Sequence, residues 1–325
     1  MRRSIGRALR ICGAIIGAGF ASGQELAAFF SRYGQWSWLG IAAAMVTLAY
    51  LGWKLCRCCM ERSVSLAGLA QGKMRVLTRW MFCLLLFITG GAMLAGTGAI
   101  AALTLPLHKA SWIGVGITLL LAIWIAHRPG KEMSRLSGGL MLLLMLILVY
   151  CSSLEAEASC VLPTDISMPY AVAVCRGLCW GGFNLAVAAP LISEEKDERA
   201  PLLAVGMLSI LLLLGNAVML RHPSLMTFEV PLVQLLTAQG MIGYYGGALA
   251  IYLSMLTTLI AALRGLKELL PSELRYSSIV AAGGITLIAL AGFAEIIDFL
   301  YPLLGGGCLV VLILLLRKND RTARI

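Results

Sequence analysis

The sequence predicts an all-α polytopic membrane protein. About ten transmembrane helices form one domain, arranged as two inverted repeats of five, with the first helix of each repeat broken. Three observations predict this. Of the 325 residues, 60% are hydrophobic and 13% charged, and the mean hydropathy is +0.89; soluble domains are about half apolar and about a quarter charged. Apolar stretches near the ~20 residues that a spanning helix needs recur along the whole chain. Two of those stretches, which open corresponding halves, are interrupted by glycines. Lipid cannot satisfy loose backbone groups, so such interruptions persist only where protein covers them or where they line a site. Paired interruptions are the sequence pointer to a transporter's binding site.

Taken in order, the spanning segments are expected near residues 8–31, 36–56, 79–105, 111–127, 132–152, 169–192, 202–220, 240–266, 276–293 and 295–316. The first could be read as a signal peptide, with Arg2, Arg3 and Arg7 ahead of an apolar run and Ala21-Ser-Gly after it. Its glycine breaks and its continuation through Leu26 to Phe30 argue for a retained span. Segments one to five (about 8–152) and six to ten (about 169–317) are of similar length, and an odd number of helices per half inverts the second half relative to the first.

Loop charge sets the orientation. The net charge of +10 resides in short loops between apolar runs, which is the positive-inside pattern rather than a nucleic-acid footprint. Basic residues crowd the N-terminus (Arg2, Arg3, Arg7, Arg10) and the loop after segment two (Arg57, Arg62, Lys73, Arg75, Arg79). They recur after segment four (Arg128, Lys131, Arg135), after segment eight (Arg264, Lys267, Arg275) and at the C-terminus (Arg317, Lys318, Arg321, Arg324). The opposite side has Arg32, Lys109 and Arg221, with an acidic loop carrying Glu155, Glu157 and Asp165. Both termini are therefore expected in the cytoplasm. The mixed-charge loop from Glu194 to Arg199 falls on the same side by counting. Most of the ten cysteines lie in apolar runs and read as small hydrophobes. Cys56, Cys58 and Cys59 cluster in an expected cytoplasmic loop, where a zinc site would lack a second ligand pair. Cys151 and Cys160 face outside, their pairing left open. No metal constellation is expected.

The candidate site residues follow from the breaks. Gly13 and Gly17 form a G-x-x-x-G pair suited to close helix packing. The stretch Gly17, Ala18, Gly19, Phe20, Ala21, Ser22 and Gly23 also reads as unwound backbone that can hold a solute. Ser22 with Glu25 has capping-box spacing, and the half-helix that would begin there suits a carboxylate. In segment six, Trp180, Gly181, Gly182, Phe183 and Asn184 combine flexible backbone, aromatic walls and one amide, or else a packing bend. In segment eight, Ser254, Thr257 and Thr258 share one helix face; they complete a sodium shell or bond their own backbone. Glu25 and Arg176 are costly charges within apolar runs that could pair as an outer gate. Glu295 and Asp298 are expected to reach water.

The opening, Gly13-Ala-Ile-Ile-Gly-Ala-Gly-Phe-Ala-Ser-Gly-Gln-Glu25 with Phe29-Phe30 and Tyr33-Gly34, resembles the YkvI-like bacterial membrane proteins. These in turn resemble the amino acid–polyamine–organocation transporters of LeuT fold. The resemblance implies a place in a bacterial inner membrane and alternating access around helices one and six. It also implies a sodium site made by the carbonyls of Gly13 and Ile16 with Ser254, Thr257 and Thr258. Phe20 and Ala21 stand where many amino-acid transporters have Asn or Ser, a departure at the first sodium site.

The expected function is secondary active transport of a small amino acid or related zwitterion or amine, coupled to sodium. A proton-coupled transporter and a ligand-sensing receptor on the same fold are the alternatives. The expected partners are a small-molecule solute and the lipid bilayer, with no nucleic acid and no cofactor besides sodium as coupling ion. No nucleophile–base pair or nucleotide loop points to an enzyme. Oligomeric state is not legible.

Overall fold

In the computed structural model, residues 2–16, 18–127, 143, 146–151, 153–154, 170–237, 239–270 and 277–322 are described, and every regular element among them is helical. The first segment is split into α1 (Arg2–Ile15), α2 (Ala18–Ser22) and α3 (Gln24–Phe29), followed by a 3-10 turn over Ser31–Trp36. Then come α4 (Ser37–Arg62), α5 (Leu66–Leu69), α6 (Lys73–Thr104) and α7 (Ala110–Ala126). The second half has α8 (Tyr170–Ser193), α9 (Arg199–Arg221), α10 (Pro231–Thr237), α11 (Gly240–Leu269) and α12 (Ser277–Ala289). It ends with α13 (Phe293–Glu295), a π-helical stretch over Ile296–Leu300, and α14 (Tyr301–Thr322).

Six of these elements are long and apolar enough to cross a bilayer: α4, α6, α8, α9, α11 and the α13–α14 run. α7 and α12 are apolar but shorter. The protein is thus a polytopic membrane protein. Of the ten expected spans, the first is interrupted and the fifth lies mostly outside the described residues, as do Lys131 and Cys160. Large apolar side chains stand exposed on the outer faces, among them Trp38, Val46, Trp80, Leu120 and Ile242. In water such a surface would aggregate; here it meets acyl chains. Trp112 and Trp124 mark the two ends of α7, the placement typical of interfacial anchors.

The expected break in segment six is absent: α8 runs unbroken through Trp180 to Asn184. Its glycines serve close backbone approach instead. A Cβ at Gly177 would collide with the Gly40 carbonyl oxygen of α4, and one at Gly40 would come within 2.8 Å of Ala173 O. One turn on, a Cβ at Gly181 would be 3.1 Å from Ala44 O. On the other flank, Gly182 and Gly305 of α14 are similarly interlocked, with Gly305 against Cys179 O. With no side chain between them, three helices pack backbone to backbone, the small-residue solution for helix association in lipid. Asn184 Nδ2–H donates to Trp180 O at 3.0 Å, satisfying itself within α8.

A second correction concerns the basic loop after segment two. Cys56, Arg57, Cys58, Cys59 and Arg62 lie on α4, whose buried stripe continues through Leu51, Gly52, Leu55, Cys56 and Cys59. Lys73, Arg75 and Arg79 begin α6. The apolar face, not the charge, decides where these helices end, because long basic side chains can reach water from a helix flank.

The loop from Glu194 to Arg199 meets the N-terminal helix, so both lie on one side, as charge counting expects. Arg7 Nε and Arg10 Nη2 stand 3.4 and 3.3 Å from the buried Glu195 carboxylate. Ser4 Oγ–H donates to Asp197 Oδ2 at 2.7 Å and the Arg199 N–H to Oδ1 at 3.0 Å. These bonds, Ser4's first, hold the Asp197 carboxyl below its ordinary value. A lowered acid stabilises the fold at pH values above the unfolded-state pKa of about 4, and that contribution is lost as pH falls through the lowered value.

The interlocked glycines are testable. Gly177→Ala should lower stability by about 1–3 kcal/mol, since backbone must move to admit the methyl group. Gly116→Ala in α7, with nothing within 4 Å of its added Cβ, should stay within about 1 kcal/mol of the parent. Thermal midpoints of the detergent-purified proteins compare the two; equal losses would refute the packing account.

Candidate functional site

The interruption of the first segment is built by local chemistry. α1 closes with Ile16 N–H donating to Cys12 O at 2.7 Å. Gly17 lies outside the described residues, and helix resumes over Ala18–Ser22. Gly23 then takes φ +84°, ψ −9°, a left-handed conformation that glycine adopts without steric cost. It has no room for a side chain either, since a Cβ there would be 2.7 Å from Met219 Cε and 3.2 Å from Pro231 Cβ. Ser22 bridges this joint: its hydroxyl donates to Gly19 O at 2.8 Å and accepts from the Gln24 N–H at 3.2 Å.

The expected capping box does not form. Gly23 occupies the cap position of α3 with no side-chain bond, and Glu25 turns away into the protein. Its carboxylate is 4% exposed, and Trp180 Nε1–H of α8 donates to Oε2 at 2.9 Å. Oε1 lies against Gly19, where any Cβ would collide with it. Trp180 is buried, with Phe30 edge-on to it at 5.5 Å between centroids. Phe183, one turn along α8, stacks on buried Tyr301 of α14 at 4.2 Å and 21°. The structure thus joins the first-segment break to the aromatic residues expected opposite it, although the second wall is continuous helix. With Glu25 already buried in the first turn of α3, a solute carboxylate at that half-helix would meet a like charge.

The expected Glu25–Arg176 gate is not formed. Arg176 precedes Trp180 by one turn, so Trp180 meets Glu25 while Arg176 meets the π-helical stretch. Arg176 Nη1 donates to Asp298 O at 2.6 Å and stands 3.3 Å from Oδ1. Arg32 Nη1 donates to both Asp298 oxygens, at 2.8 and 2.9 Å, and Arg32 Nε to Ala27 O at 3.2 Å. Asp298 therefore does not simply reach water: it ties the end of the first segment to α8 and to the tenth. Glu295 is exposed, as expected. Sequence reasoning marked Asp298 as costly but missed Arg32 as its partner, 266 residues away.

Further polar groups hold the same region. Asn216 of α9 accepts from Ser31 Oγ–H at 2.8 Å and donates to Ser37 Oγ at 2.9 Å, pinning the 3-10 turn that follows α3. Gln24 is 5% exposed, and its Oε1 has no hydrogen-bond partner among the described residues.

α11 packs beside α2. Ser254 and Thr257 are buried and Thr258 half-buried, in keeping with one shared face. Both threonine hydroxyls donate to Ser254 O, Thr257 at 2.9 Å and Thr258 at 3.0 Å. A hydroxyl so engaged keeps its lone pairs for a further donor or a cation.

No family model matches the sequence. Over 320 residues the chain is 27% identical to a Bacillus subtilis (strain 168) protein described as the uncharacterized membrane protein YkvI, covering 90% of this chain and 89% of that one. The chain is thus a distant homologue of a membrane protein along nearly its whole length. The likeness extends the resemblance of the opening motif to the rest of the chain and carries no solute with it.

The Arg32–Arg176–Asp298 cluster has a local signature. Asp298→Asn should lower stability by only about 1 kcal/mol, since partly exposed pairs contribute little. It should nevertheless speed amide hydrogen exchange in residues 30–36 and 293–300 while leaving 81–101 of α6 unchanged. Unaltered exchange in both outer segments would mean that Asp298 does not hold them together.

Proposed function

We propose that this chain is a secondary active transporter of a small amino acid or related zwitterion or amine, in the cytoplasmic membrane with both termini inside. The reading takes the helices as a LeuT-type five-plus-five inverted repeat working by alternating access. One observation carries it: the first segment is interrupted twice, at Ile16 just past α1 and at Gly23, with a buried carboxylate at the second interruption. Backbone irregularity inside a membrane protein is tolerated where protein buries it or it lines a cavity, and solute sites are built on discontinuous helices. In this proposal the solute lies between the stretch from residue 17 to Gly23 and the Trp180–Phe183 face of α8.

Ion pairs close off both ends of this region. Arg32, Arg176 and Asp298 lock the outer end, and Arg7, Arg10 and Glu195 lock the inner end. Opening one end while the other holds is the motion that alternating access requires. Sodium, as the proposed coupling ion, bridges the carbonyls of Gly13 and Ile16 to the hydroxyl oxygens of Ser254, Thr257 and Thr258. α11 packs beside α2, which begins two residues after Ile16.

The test is flux into proteoliposomes under an imposed sodium gradient, screened over amino acids and amines. Sodium-driven accumulation supports the proposal. Accumulation that follows a pH gradient alone would transfer coupling to protons, and binding with no flux would make the chain a receptor. Thr258→Ala should reduce sodium-stimulated binding by about tenfold, the loss of roughly one good ligand interaction. An unchanged sodium dependence would remove the α11 hydroxyls from the site.

A further inference from the structure

We infer that Glu25 is the group that receives the ammonium of the solute, so that the chain takes only solutes carrying a protonated amine. The inference rests on the transporter reading for its physiological meaning but on the geometry of one side chain for its chemistry. A buried carboxylate is strongly unfavourable unless it is paired and hydrogen-bonded. Glu25 is 4% exposed, and the partner its carboxylate has among the described residues is a neutral indole N–H. Arg176, one turn before Trp180, and Arg32, seven residues after Glu25, both hold Asp298. From α14 the titratable side chain within electrostatic reach is Tyr301, which supplies no positive charge at physiological pH. Among the described residues the carboxylate has one neutral donor and no cation.

A second, independent observation points the same way. The adjacent residue, Gln24, is also buried, and its side-chain oxygen has no donor. Two buried acceptors in this short helix, Gln24 Oε1 with no donor and Glu25 with a neutral one, leave room for a group that brings N–H bonds and a positive charge. The surroundings favour an ammonium over a metal ion. Hard cations require about six oxygen ligands, whereas Trp180, Phe30, Phe183 and Tyr301 make this region largely aromatic. Aromatic walls suit organic cations. Gly19 completes the fit, since any side chain there would displace the Glu25 carboxylate.

Thermal stabilisation of the detergent-purified full-length chain tests this with matched solute pairs. L-alanine is compared with L-lactate, and ethanolamine with ethylene glycol; the members of each pair differ in having an ammonium or a hydroxyl group. Each is measured in sodium and in potassium. A ligand selective for the folded state raises the unfolding midpoint by mass action. The ammonium member of at least one pair is expected to stabilise and its hydroxyl mate not. Glu25→Gln should weaken that response by about tenfold or more, the loss of a charge-assisted bond, with its ligand-free midpoint retained. If Glu25→Gln does not fold, Glu25→Asp keeps the charge but withdraws it by one methylene, and is expected to weaken the response while keeping the preference for ammonium. Four results would overturn the inference: no response to either amine, equal response to both members of each pair, a response unaltered in the Glu25 variants, or stabilisation by sodium alone that Glu25→Gln abolishes. Flux separates this from the transporter reading. Glu25-dependent binding without flux sinks the transporter and leaves the ammonium site standing. Flux with Glu25-independent binding does the reverse.

Discussion

The backbone-to-backbone contact of α8 with α4 and α14 is the constraint on which the rest of this structure depends. Gly177 and Gly181 admit one neighbour and Gly182 the other, so α8 is held on two flanks with little freedom to slide or rotate. A rigid helix presents its side chains at set heights. One turn places Arg176 at Asp298, the next places Trp180 at Glu25, and the next places Phe183 on Tyr301. The interrupted first segment, which has little regular structure of its own at its joints, takes its position from these fixed points.

Around that axis the first segment is fastened at intervals rather than packed along its length. Arg7 and Arg10 tie α1 to the Glu194–Arg199 loop, Ser22 bridges the Gly23 joint, Glu25 reaches α8, and Asn216 grips the turn beyond α3. Most of these fastenings are polar, and each joins the first segment to a continuous helix or to the end of one. A segment held this way can change its attachments one at a time without disturbing the glycine-packed core. A close-packed interior, by contrast, resists gradual deformation.

How much of this the sequence shows depends on what each residue's chemistry leaves ambiguous. The interruption of the first segment was legible, because four glycines and a serine within eleven residues leave little for a lipid-embedded helix to be made of. In segment six the same letter misleads. Glycine permits an unwound backbone and also permits a near neighbour, and only the position of Gly40 and Gly305 decides between them. Side-chain spacing placed Ser254, Thr257 and Thr258 on one face but could not show that Ser254 O takes both threonine protons. Charged residues in apolar runs were recognisable as costly, yet their partners were not. Glu25 and Arg176 each found a different partner because helical phase separates Arg176 from Trp180 by a full turn. Arg32 and Asp298 meet only through the fold.

The contrast between α6 and α7 has a consequence for the surrounding membrane. At about 1.5 Å per residue, the 32 residues of α6 extend about 48 Å and the 17 of α7 about 26 Å. The hydrocarbon layer is about 30 Å thick, and the two helices pack side by side. The longer one must lean or protrude, while the shorter, with Trp112 and Trp124 near its ends, draws the interfaces together. A bilayer matched to α7 would have to thin on that flank, at a cost of fractions of a kcal/mol for each ångström of mismatch.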